Sequence, residues 1–273
     1  MSVINYIVAQ LAGIYPPEEA RELAFWVIEE TTGLSRAAIS ACKGTQNISN
    51  IEIILKRLRK KEPIQYIFGH TLWFGLDLLV SKDTLIPRPE TAELVELILK
   101  TMPQNAPLSV LDIGTGTGAI ALALKSRRPY WNIHALDFSQ PILDIAATNA
   151  ERNGRLEIDF IQMDILKNEP ESLGTFDIVV SNPPYICESE KASMEANVLD
   201  YEPASALFVP DDDPLRFYRR IVTMKSGKYL FFEINSRFGE QVAQLLCDAG
   251  YIDVKIHKDI YGKDRMVSGR IEA

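Results

Sequence analysis

A chain of 273 residues, 47% of them hydrophobic, is long enough for more than one unit of about 100–200 residues, and its formal charge of −8 disfavours a surface that holds long nucleic acid mainly through phosphates. The N-terminus lacks a basic segment ahead of an apolar run and no stretch approaches the ~18 apolar residues of a membrane span, so a soluble protein that meets a protein or a small molecule is expected. Cys42, Cys187 and Cys247 are too scattered for a metal pair or a disulfide framework and point to a reducing cytoplasm; His70, His134 and His257 are as scattered and read as structural.

From Pro16 to Glu62 the apolar residues recur at helical spacing, as in Leu23 and Val27 and then Ile51, Ile54, Leu55 and Leu58. Pro16-Pro17 opens one helix, Gly33 ends it and Ser35 caps the next, which predicts a helical domain over residues 1–62. Its basic run Lys56, Arg57, Arg59, Lys60 and Lys61 reads as a solvated helix face. Residues 64–68 and 73–79 predict two strands that turn at Gly69-His70, a hairpin linker over residues 63–88 closed by Ile86-Pro87-Arg88-Pro89. A helical run with Leu94, Val95 and Ile98 follows.

From there strands and helices alternate: SVLDIG, AIALALKSRR, NIHALD, PILDIAATNAERNG, EIDFIQMD, FDIVVSN, LRFYRRIV, YLFFEI, GEQVAQLLCDAG, and last the pair YIDVKIHKD and RMVSGRI. The strands are apolar on both faces, as buried parallel strands are. The pattern predicts an α/β, Rossmann-like domain over residues 89–273, a mostly parallel seven-stranded sheet with a terminal antiparallel hairpin.

The first of these strands runs into Gly114-Thr115-Gly116-Thr117-Gly118 and a helix that starts at Ala119. Glycines let the backbone approach a ligand, and the helix N-terminus offers N–H groups to a carboxylate. The same residues fit the turn of dinucleotide-binding folds, so the motif by itself leaves the cofactor open. Asp137 ends the next strand and suits the two ribose hydroxyls of a nucleoside; Asp164 ends the third and suits an adenine amino group.

The fourth strand ends in Ser181-Asn182-Pro183-Pro184-Tyr185. Two prolines stop the strand and leave a rigid turn with carbonyls and no N–H donors at residues 183 and 184. Such a turn suits a substrate NH2 group. An amide or aromatic amine nitrogen is a weak nucleophile because its lone pair is delocalised, so positioning and charge stabilisation must supply the catalysis. The Asn182 side-chain oxygen and the Pro183 carbonyl can each accept one N–H and aim the nitrogen at a sulfonium methyl, and Tyr185 can stack on the planar group.

With these motifs the chain resembles the release-factor glutamine methyltransferases, the HemK/PrmC family. The resemblance is carried by Glu62-Pro63-Ile64 with Gly69, Leu85-Ile86-Pro87-Arg88-Pro89-Glu90-Thr91, residues 111–122 and 181–186, Tyr201-Glu202-Pro203 with Ala206-Leu207, and Gly262-Lys263-Asp264-Arg265. It implies a class I S-adenosylmethionine-dependent methyltransferase domain behind a helical domain that docks the substrate. The reaction implied is direct in-line methylation of the side-chain N5 of the glutamine in the Gly-Gly-Gln motif of class 1 peptide chain release factors, with S-adenosylhomocysteine as product and no metal. The family pattern carries over residues 114–118, Asp137 and Asn182 as cofactor contacts, and Asn182, Pro183, Pro184 and Tyr185 as the glutamine site. A cytoplasmic monomer with no direct contact to nucleic acid or membrane is expected. Two positions depart from the pattern. Ile165 stands where some members place a tryptophan against adenine, which makes that cofactor contact apolar, and Pro214-Leu215 follows three aspartates where Gly-Leu is usual.

The NPPY turn also serves amino-methylating DNA methyltransferases, but the chain has no long insertion for target recognition and its charge is unfavourable for duplex DNA. Ribosomal-protein glutamine methyltransferases are a nearer alternative, from which the Pro-Arg-Pro-Glu segment sets this chain apart.

Overall fold

Helix α1 (Val3–Leu11) starts at Ser2, whose hydroxyl accepts the Asn5 N–H, and α2 (Pro17–Thr32) carries proline at its first position, where no N–H is needed. Helices α3 (Arg36–Ala41), α4 (Ile51–Leu58) and α5 (Ile64–Phe68) follow. The computed structural model describes residues 2–41, 48–167 and 173–272, so Cys42 lies outside the described residues. The chain divides into two compact units, one running to Gly69 with Glu195–Tyr201 added, the other comprising the rest.

The helical unit closes around Ile7, Leu11, Ala24, Val27, Ile28, Leu55 and Leu58. Burying each leucine contributes about 1.5–3 kcal/mol. The strand expected over 64–68 is a helix instead. Ile64, Ile67 and Phe68 all pack on this core at helical spacing, Gly69 takes the left-handed conformation at the helix end, and Arg57 donates to the carbonyls of Tyr66 and Ile67 that the last turn leaves open. Arg57 also grips the buried Glu62 with two nitrogens, and Arg59 donates to Gln10. Two members of the basic run therefore hold the unit together, and the solvated-face expectation fails for them.

In the larger unit, β1 (His70–Trp73) and β2 (Leu76–Leu79) form a hairpin whose turn is Phe74-Gly75, both at positive φ, and not Gly69-His70 as expected. Then come α6 (Pro89–Thr101), β3 (Ser109–Ile113), α7 (Ala119–Arg127), β4 (Asn132–Asp137), α8 (Gln140–Arg152), β5 (Asp159–Gln162) and β6 (Phe176–Ser181). After β7 (Ile186–Cys187) lie α9 (Ala196–Tyr201, in the helical unit), α10 (Ala204–Leu207) and β8 (Phe208–Val209). The chain ends with α11 (Arg216–Met224), β9 (Gly227–Glu233), α12 (Gly239–Asp248), β10 (Ile252–Lys258) and β11 (Asp264–Arg270).

The sheet order is β10-β11-β9-β6-β3-β4-β5, parallel from β9 to β5, with β11 antiparallel to both its neighbours. Alternate residues of one strand feed two cores: Ile178 and Val180 face the layer of α6 and α7, and Val179 faces that of α11 and α12. This is the architecture the sequence leads one to expect. On the first face, α8 closes the free edge of the small hairpin. Asn149 accepts the Leu79 N–H at 2.7 Å and donates to its carbonyl at 3.1 Å, while Asn153, one turn on, does the same for Asp77. Among the described residues no helix is long and apolar enough to cross a membrane. Ring nitrogens of His70, His134 and His257 rest on Asp77, Asp159 and Ser268.

Candidate active site at the strand ends

A cavity of about 330 Å³ opens at the C-terminal ends of the parallel strands, where α/β sheets bind ligands. It gathers Gly114, Thr115, Gly116, Thr117, Asp137, Asp164, Ile165, Asn182, Pro183 and Pro184 from the expected site; Gly118 and Tyr185 are not part of its wall.

The glycine turn is built on positive φ at residues 114, 116 and 118. Space is open where a Cβ would stand at Gly114 or Gly116, whereas at Gly118 it would meet Leu122 at 3.1 Å and Ala146 at 3.3 Å. Gly118 thus serves helix packing, not ligand approach. The N–H groups of Gly114 and Thr115 both go to the Leu136 carbonyl, at 2.8 and 2.9 Å, which fixes the turn beside the end of β4. Beneath it, Asp112 is wholly buried and its Oδ2 accepts the Thr115 hydroxyl at 2.7 Å and the Ala121 N–H at 3.2 Å. One of the helix N–H groups expected to face a ligand is therefore taken from below.

Asp137 ends β4 with one carboxylate oxygen on the Gly116 N–H at 3.0 Å. Burial raises its pKa, against the backbone N–H groups of Gly116, Ser139 and Phe138. A carboxylate has about four acceptor sites, so capacity remains for hydroxyl donors. Asp164 lies just past the end of β5, tied to Lys167 at 2.7 Å and to the Leu166 N–H at 3.0 Å; the Lys167 bond leads in lowering its pKa. Ile165 beside it is buried and apolar.

Ser181 donates to the Ile113 carbonyl at 2.7 Å and so pins the end of β6 to the end of β3, which sets Asn182 next to the glycine turn. Asn182 donates through Nδ2 to Thr91 Oγ1 at 3.1 Å. Tyr185 turns away from the cavity, contrary to the stacking role expected of it: its hydroxyl donates to Glu233 Oε1 at 2.9 Å. Burial first, then the Glu233 charge, pushes the Tyr185 hydroxyl well above its usual range, with Arg265 opposing.

Residues outside the expected site complete the wall. Thr91 and Arg88 come from the Pro-rich entry to α6 and line the cavity. Arg88 pairs with the buried Glu202 at 2.5 Å, and Glu202 also accepts the Ile86 N–H at 3.4 Å, which holds this entry segment in place. Glu233 ends β9 behind the cavity. Its one sequence signal is an acid at the end of an otherwise apolar buried strand.

A family model described as Methyltransferase small domain matches residues 93–200. A release factor glutamine methyltransferase of Bacteroides thetaiotaomicron is 43% identical, over 97% of this chain and 98% of that one; its counterpart in Flavobacterium psychrophilum is 40% identical, over 98% of each. Among solved structures, the hMettl16 catalytic domain in complex with MAT2A 3′UTR hairpin 6 superposes with a TM-score of 0.57 at 17% identity, over 73% of this chain and 77% of that one. That similarity speaks to the fold alone.

Proposed function

The chain belongs to the release factor glutamine methyltransferase family, and we propose that it methylates N5 of the glutamine in the Gly-Gly-Gln motif of class 1 peptide chain release factors. It is an S-adenosylmethionine-dependent methyltransferase. The residues present fit that cofactor: a buried carboxylate with spare acceptor sites on Asp137, open space beside Gly114 and Gly116, and an apolar wall at Ile165. Bound there, the cofactor supplies an electrophilic sulfonium methyl, so the glutamine nitrogen gains that methyl and gives up one proton.

Asp137 would hold the ribose hydroxyls, and Asp164 with Ile165 the adenine. Asn182 and the Pro183 carbonyl accept the two N–H groups of the incoming amide. Each bond turns the nitrogen lone pair toward the methyl and stabilises the positive charge that grows on nitrogen, the kind of preorganised contact worth about 2.7–4 kcal/mol. Because Pro183 and Pro184 have no N–H, nothing in the turn competes to donate. The observation that carries this reading is Asn182 fixed at the cavity wall, with its Nδ2 committed to Thr91 and its oxygen left for a donor. The helical unit, whose apolar core stands by itself, is the proposed docking surface for the release factor.

Incubation with methyl-labelled S-adenosylmethionine, a class 1 release factor, ribosomal proteins and duplex DNA, followed by mass spectrometry, tests the reaction. Label on the Gly-Gly-Gln glutamine is expected. Label confined to ribosomal protein or to DNA would refute the proposal.

A further inference from the structure

The Asn182 amide has two ends, and only one of them suits a substrate NH2 group. What decides which end faces the cavity lies behind it. Nδ2 is 3.1 Å from the Thr91 hydroxyl, and that hydroxyl is 2.7 Å from Oε2 of Glu233. Oε1 of the same carboxylate takes the Tyr185 hydroxyl at 2.9 Å. Glu233 is 1% exposed. Thr91 is the donor to Glu233, so its one hydroxyl proton is spent there and its lone pairs are left to face Asn182 Nδ2. Lone pairs attract the NH2 end of an amide and repel its carbonyl end.

We propose that Thr91 and Glu233 are positioning residues, a two-step relay that locks the Asn182 amide with its nitrogen inward and its oxygen toward the cavity, and so makes the site an acceptor for N–H donors. The direction of the whole chain is set at its buried end. A neutral Glu233 could donate to Thr91, and the Thr91 hydroxyl could then donate to the Asn182 oxygen and turn the amide the wrong way round. Burial raises the Glu233 pKa; the bonds from Thr91 and Tyr185 and the charge of Arg265 work against that rise, and Glu90 adds to it. Arg265 is itself held at 3.2 Å by Asp259, whose side chain is buried. An acid buried in an apolar layer costs several kcal/mol unless it is bonded and paired. Here three elements converge to offset part of that cost: α6 with Thr91, the turn after β6 with Tyr185, and β11 with Arg265.

The relay rests on the methyl-transfer reading only for the identity of the group that Asn182 receives; the amide's orientation stands on the geometry. Thr91→Val keeps the shape and removes both bonds, while Thr91→Ser keeps the hydroxyl. With release factor as substrate, Thr91→Val should lower kcat about tenfold or more, as loss of roughly 1.4 kcal/mol of orienting free energy would. The cofactor KM should stay within about twofold. Thr91→Ser should restore most of kcat. A near-normal kcat in Thr91→Val, or an equal loss in Thr91→Ser, would overturn the relay. The second measurement needs no variant of Thr91 and no turnover: exchange of the Asn182 side-chain NH2 protons with water, followed by NMR in the wild-type protein and assigned by their loss in Asn182→Asp. They should exchange more slowly than those of exposed asparagines, and equal rates would overturn the relay. Absence of methyl transfer to release factor by the wild-type protein would sink the proposed reaction instead, and the exchange rates would still decide the orientation.

Discussion

Asp112→Asn should change how stability responds to pH, and the sign follows from burial. Asp112 is fully buried under the glycine turn, its Oδ1 has no hydrogen-bond partner among the described residues, and burial pushes its pKa from 3.8 to about 7, against the bonds from Thr115 and Ala121 and with some help from the Asp137 charge. The folded chain therefore holds this proton more tightly than the unfolded chain does. The stability gained from the protonated carboxyl is fully present below about pH 4 and is lost as pH rises to about 7. A rise of about 3 pKa units corresponds to about 4 kcal/mol in all, of which about 2–3 kcal/mol is lost between pH 5 and 7. The substituted amide stays neutral throughout. Its nitrogen would stand where Oδ1 lacks a partner, a penalty of about 1–3 kcal/mol that does not vary with pH. Urea unfolding of both proteins from pH 5 to 8.5 gives the difference in stability, in which titrating groups not coupled to Asp112 cancel and the minor coupling to Asp137 stays. That difference should move in favour of Asp112→Asn by about 2–3 kcal/mol up to pH 7 and then level off. A difference that stays constant across the range would refute the reasoning.

Asn182→Ala should leave the fold and cofactor binding largely intact and lower kcat by about two orders of magnitude or more, as loss of one preorganised transition-state contact does; single-turnover methylation of release factor measures it, and a near-normal rate would remove Asn182 from the chemistry. Asp137→Ala should raise the cofactor KM with a smaller change in kcat, because ribose contacts persist through the reaction; equal losses in kcat and kcat/KM would contradict that role. Deleting residues 1–69 should spare binding of S-adenosylhomocysteine, measured by calorimetry, while kcat/KM for intact release factor falls steeply. A folded truncated chain that methylates release factor at the normal kcat/KM would show that the helical unit is not the docking surface.

Much of the larger unit is legible because its physics is local. Strands such as residues 176–181 must be apolar on both faces when helices cover both sides, and the helices between them carry one stripe, so the alternation shows in the sequence. The glycine turn and the NPPY turn are contiguous and constrained by backbone conformation. The pairing of Thr91 with Glu233 was missed because the two stand 142 positions apart, one on α6 and one at the end of β9, and only the fold brings them within 2.7 Å. Tyr185 belongs to a legible motif, yet its side chain turns inward because a partner for its hydroxyl waits on β9. Residues 64–68 look like a strand in composition, since isoleucine and aromatic residues favour strands, and only the core of the helical unit and the Arg57 cap make them a helix.

The asparagines of α8 that close the small hairpin also bear on the order in which the chain can fold during synthesis. A two-stranded hairpin is marginal in water by itself, and the bonds that Leu79 receives come from Asn149, 70 positions later. The same Asn149 amide reaches the Thr117 carbonyl at 2.9 Å, so one side chain must find both the hairpin and the glycine turn before either is complete. At ribosomal speeds of about 5–20 residues per second, the hairpin emerges about 4–14 s before its partner helix exists. Over that interval Trp73, Leu76 and Leu78 have no core to enter, and the hairpin's edge stays open to any other extended segment it meets.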